Sequence, residues 1–115
     1  MSIRRKEIFP RRLTPAAIVL LYGALSELTG SPVARLNAAA AIARRDGPEK
    51  GLAAAEEVAQ LHPIMNEYQP YWALKADLCA RLGRAEAARA AYDEAILRED
   101  DRAVVAFLEA RRDAL

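Results

Sequence analysis

The sequence is poor in the side chains from which small catalytic and metal centres are built. Its 115 residues include one histidine, His62, and one cysteine, Cys79. A single histidine excludes a histidine-rich metal site. A single cysteine excludes a disulfide framework and a cysteine-based metal site within one chain. The five glycines form no phosphate-cradling loop, and neither a nucleophile elbow nor a zinc-spaced ligand set occurs. No apolar run approaches the ~20 residues needed to span a membrane. An excess of charge is missing as well: 17 basic and 16 acidic residues nearly cancel, which argues against a protein that grips nucleic acid over its whole surface. The expectation is a chain that is not an enzyme and holds no cofactor or metal.

What the sequence does have is alanine. Hydrophobic residues make up 53% of the chain and aromatics only 6%. Alanine is the best helix former and lets helices approach closely, so the composition points to a tightly packed all-α fold. The length suits one domain that buries roughly two thirds of its unfolded surface.

Residues 1–13 stand apart as a basic arm. Arg4, Arg5, Lys6, Arg11 and Arg12 face only Glu7 there, a charge of about +4. The arm with the apolar run from Ala16 to Leu25 imitates a signal peptide, and Arg4-Arg5 a twin-arginine signal. Thr14-Pro15, however, looks like the N-cap and first residue of an ordinary helix that continues past the run, which favours a cytoplasmic protein.

From residue 14 to 115 the pattern is that of one helical domain. Helix one is predicted from Pro15 to about Leu28, with Ile18, Leu21, Tyr22, Leu25 and Leu28 on one face. Ser31-Pro32 starts helix two, which runs to about Arg45, and Asp46-Gly47-Pro48 breaks the chain before helix three. Helix three ends near Leu61 and buries Leu52, Ala55, Val58 or Ala59, and Leu61. After a longer connection, helix four runs from Pro70 to Leu82 with two apolar stripes. Gly83 supplies the left-handed turn into helix five, Ala85 to about Arg98. Asp100 or Asp101 caps helix six, with Val104, Phe107, Leu108 and Leu115 inward and Arg111 among its outward residues.

Trp72 and Ala76 before Gly83, then Ala88, Tyr92 and Ala95 after it, follow the order of small and bulky residues in a tetratricopeptide-type hairpin. Trp72 is expected to be buried between hairpins. Helices two and three repeat four and five at an offset of about 37 residues, against the usual ~34, pairing Ala39 with Ala76, Gly51 with Ala88 and Val58 with Ala95. Trp72 and Tyr92 find only Arg35 and Ala55 opposite them. The predicted fold is about six helices in antiparallel hairpins, stacked in a right-handed tetratricopeptide-like array.

Isolated polar residues have ordinary explanations. His62 reads as a helix-end residue, Cys79 as a packed small side chain beside a solvent-facing Lys75, and Glu56-Glu57 and Glu99-Asp100-Asp101 as solvated carboxylates. Repeats of this kind hold peptides against the first helix of each hairpin. Here that groove would comprise Ala40, Arg44, Ala73, Asp77 and Arg81, with small residues leaving room for a backbone and arginines fixing a carboxylate. The basic arm supports a second reading, binding to phosphates, and a free-standing helical scaffold or homo-oligomer is the third.

Leu21-Tyr22-Gly23-Ala24-Leu25, Leu28-Thr29-Gly30-Ser31-Pro32-Val33, Leu36-Asn37-Ala38-Ala39-Ala40-Ala41 and Asp46-Gly47-Pro48 resemble the C-terminal helical extension of a group of bacterial extracytoplasmic-function RNA polymerase sigma factors. Lys75-Ala76-Asp77-Leu78, Arg81-Leu82-Gly83-Arg84, Ala87 to Asp93 and Phe107-Leu108-Glu109 continue the likeness in the same order. It covers about Pro15 to Leu115. The resemblance implies a non-catalytic module that modulates transcription initiation through protein contacts, with RNA polymerase or a sigma factor as partner. The promoter-opening domains of such factors are not among these residues, so the expectation is either a piece of a sigma factor or a free-standing relative. Ala38 stands where the family has arginine. Asn37 matches the family and is expected to hydrogen-bond the Gly30-Ser31 turn.

Overall fold

The computed structural model describes residues 14–115, with side chains left undescribed at Tyr22 and at 25–29. The basic arm therefore lies outside the described residues. The described part is all-α: α1 (Pro15–Thr29), α2 (Pro32–Asp46), α3 (Pro48–Leu61), a 3-10 turn (Pro63–Glu67), α4 (Gln69–Arg81), α5 (Ala85–Leu97) and α6 (Arg102–Asp113).

The helix boundaries follow from local chemistry. The Thr14 hydroxyl accepts the Ala17 N–H at 3.1 Å and the Ser31 hydroxyl accepts that of Ala34 at 3.3 Å, so both Ser/Thr-Pro signals start helices. Asp101 rather than Asp100 caps α6, accepting the Ala103 N–H at 2.8 Å. At the end of α4, Gly83 takes φ +74° while Arg84 N–H reaches the Cys79 carbonyl at 2.9 Å and Gly83 N–H that of Ala80 at 3.1 Å. Those two bonds are a Schellman closure, which needs the left-handed residue that glycine supplies without strain.

The helices stack as hairpins. α2 packs on α3 and α4 on α5, α1 lies along α2, and α6 rests on α5. A radius of gyration of 15.7 Å, against about 13 Å for a sphere-like domain of this length, fits an elongated array rather than a closed bundle.

Two core clusters result. One joins Leu52, Ala76, Leu78, Cys79, Ala88, Ala91, Tyr92, Ala95 and Leu108, and the other Leu36, Ala39, Ala55, Val58, Ala59, Met65 and Tyr71. Trp72 and Leu74 pack against both and so tie the hairpins together. The residues that the repeat alignment pairs, Ala39 with Ala76, Gly51 with Ala88 and Val58 with Ala95, are all buried.

Several expectations need correction. Trp72 is half-buried, and it is Tyr71, 3% exposed, that fills the interior between hairpins. Leu21 is 48% exposed on α1, whose main packing partner is α2. Leu61 is 57% exposed at the last residue of α3, where the buried place passes to Met65 in the following turn. Phe107 and Leu115 also face out, and of the helix-six set only Leu108 is fully buried. Among the described residues no helix follows α6 to cover that side. Asn37 is exposed, and the turn it is expected to support is capped by the Ser31 hydroxyl.

Candidate functional site

The face shared by α2, α4 and α6 gathers most of the expected groove. Ala40 and Arg44 from α2 and Asp77 and Arg81 from α4 line a hollow of about 120 Å³, with Ala43, Leu74 and Leu78 around it. Ala73 is not part of this lining; it is half-buried against the core. The spacing that brings Asp77 and Arg81 together is one helical turn, so the two side chains pair along α4.

Asp77 is the hub. Its Oδ2 lies 3.1 Å from Arg81 Nε, and its Oδ1 accepts from Arg111 Nη2 of α6 at 3.4 Å. Arg111, read from the sequence as an outward residue of the last helix, is thus a fourth charged member of this face. It also lines a neighbouring hollow with Ala80, Tyr92, Ala114 and Leu115. The Tyr92 hydroxyl is the main influence holding the Arg111 guanidinium more firmly in its charged form, with Asp77 adding to it. No local signal marks Arg111, because 34 residues separate it from Asp77. The balance on this face is three guanidiniums to one carboxylate.

A second cluster surrounds Trp72. Its Nε1 donates to the Asn66 carbonyl at 2.8 Å, and the Tyr71 ring meets it edge-on with centroids 5.1 Å apart. Lys75 Nζ and the Arg98 guanidinium each lie 5.5 Å from the indole centroid, within cation–π range. Lys75 therefore does not point to open solvent. It lies across Tyr71 and Trp72 and reaches Glu56 at 3.6 Å, coupling α3 to α4. Arg98 is tied to Glu94 one turn back on α5.

The remaining sequence candidates occupy structural positions. His62 ends α3, its N–H bonded to the Val58 carbonyl. Burial pushes the Cys79 thiol up, away from the thiolate a reactive cysteine requires. Glu99 accepts the Asp101 N–H at 3.0 Å and so supports the α6 cap. Among the described residues no three His, Cys, Asp or Glu side chains stand together as a metal site, and no helix is long and apolar enough to cross a membrane.

No family model and no solved structure matches the chain. A protein from Rhizobium meliloti (strain 1021), carrying the name uncharacterized protein R00370, is 39% identical over 98 residues, which are 85% of this chain and 22% of that protein. The chain thus spans about a fifth of the length of the curated relative it matches.

Proposed function

We propose that the chain is a non-catalytic protein–protein interaction module, related to the C-terminal extension of extracytoplasmic-function sigma factors, that modulates transcription initiation in the cytoplasm. The observation that carries this reading is the α2/α4/α6 face, where small residues leave a shallow hollow and Arg44, Arg81 and Arg111 stand around Asp77. Such a surface positions another polypeptide and contains no arrangement of nucleophile and base. The match inside a much longer protein is in keeping with a module that is appended to other domains. The ordered resemblance from Pro15 to Leu115 supplies the link to transcription.

Affinity capture on the immobilised chain from a bacterial lysate tests this reading. RNA polymerase subunits or a sigma factor should be enriched over an Arg44→Glu, Arg81→Glu double variant. Equal recovery by the two chains, or recovery of neither protein, would sink it.

A further inference from the structure

We propose that the α2/α4/α6 face docks an acidic segment of a partner polypeptide, whose carboxylates take the place that Asp77 holds in the free chain. This rests on the interaction-module reading and adds the chemistry of the partner. Asp77 demonstrates that the seat fits a carboxylate: one oxygen meets Arg81 at 3.1 Å and the other Arg111 at 3.4 Å. Both pairs are open to water, with Arg81 61% and Arg111 51% exposed, so the attachment is weak and an incoming carboxylate displaces it at little cost. Arg44, at the rim of the same hollow, has no ion pair among the described residues and stands ready as a third contact.

Charge complementarity selects the occupant. The guanidiniums of Arg44 and Arg81 at the hollow and of Arg111 beside Asp77, each a planar donor fork, match side-chain or terminal carboxylates spaced along a peptide, while Ala40 and Ala43 leave room for its backbone. Nucleic acid fits less well. No aromatic ring lines the α2/α4 hollow for base stacking; the rings near this face, Tyr92 and Phe107, lie on the Arg111 side. In the free chain Asp77 acts as an internal competitor, lowering affinity for weakly acidic segments and so sharpening selectivity.

Fluorescence anisotropy of a fluorescein-labelled peptide of alternating glutamate and alanine tests this directly. The expected result is saturable binding that weakens with salt, falls about tenfold or more in Arg81→Gln, Arg111→Gln, and tightens about threefold in Asp77→Asn. Circular dichroism and thermal melting of each variant separate loss of the site from loss of the fold. Absence of peptide binding, indifference to the double variant, weaker binding by Asp77→Asn, or preference for a labelled single-stranded oligodeoxynucleotide would each overturn the proposal. Peptide binding without any affinity for RNA polymerase or a sigma factor would leave this surface standing and remove the transcription role. Binding of RNA polymerase or a sigma factor that depends on Arg44 and Arg81, without peptide binding, would keep that role and discard the acidic-segment chemistry.

Discussion

Gly51 on α3 lies against Ala43 on α2 with no room for a methyl group: a Cβ at Gly51 would stand 2.3 Å from the Ala43 Cβ and 2.7 Å from its Cα. Relief would require the two helices to move apart, since the obstacle includes backbone. Gly51→Ala gains up to about 1 kcal/mol of helix propensity and loses about 1–3 kcal/mol to overpacking. Urea denaturation should show a net loss of about 1–2 kcal/mol, and a stabilised variant would mean that the crossing is looser than described. At the equivalent place in the second hairpin, Ala88 is fully buried with its methyl in contact, so Ala88→Gly should also destabilise.

Tyr71 and Trp72 are neighbours with different duties. Tyr71→Ala removes a fully buried ring and should cost about 3–5 kcal/mol. Trp72 is half-exposed, so Trp72→Ala should cost less, about 2 kcal/mol, while Trp72→Phe, which forfeits the bond to Asn66, should cost about 1 kcal/mol. Chemical denaturation of the three variants checks this order, and the reverse order would make the indole the more deeply buried of the two rings.

The turn at Gly83 makes a conformational demand. With φ at +74° and open space where a side chain would begin, Gly83→Ala meets no clash and suffers only the left-handed penalty, about 1–2 kcal/mol. Gly83→Asn should recover part of that loss. Equal stability of the two variants in thermal melts would argue against the Schellman closure.

Alkaline pH should weaken the fold. Burial raises the Cys79 thiol and the Tyr71 phenol above their ordinary values, so the folded chain keeps protons that the unfolded chain releases. The stabilising share of Cys79 is complete below about pH 8.5, the unfolded value, and is lost as pH rises through the higher folded value; Tyr71 follows from about pH 10. Melting temperatures between about pH 8 and 10 should fall more steeply for the natural chain than for Cys79→Ala. Parallel slopes would mean that the thiol is not held protonated by burial.

Helix limits are legible in the sequence because Ser31-Pro32, Gly47-Pro48 and Gly83 act through bonds and torsions within a few residues. The buried alanines and Tyr92 are legible from their three- and four-residue spacing. Periodicity identifies an apolar face without identifying what covers it, which is why the pattern points Leu21, Leu61 and Phe107 inward although they lie exposed. On α4, apolar residues on two sides make Tyr71 and Trp72 indistinguishable until the neighbouring helices are in place. Four of the five groove residues come together because they share two helices at regular spacing. Arg111 and the laying of Lys75 over the aromatic pair depend on contacts between elements, for which no local pattern exists.

The most direct measurement is biolayer interferometry of the immobilised chain with purified bacterial RNA polymerase, presented with and without an extracytoplasmic-function sigma factor. Saturable binding to one of these, weakened about tenfold or more by Arg44→Glu, Arg81→Glu at unchanged thermal stability, is the expected result. No binding to either, or binding untouched by the double variant, would contradict a transcription module working through the arginine face.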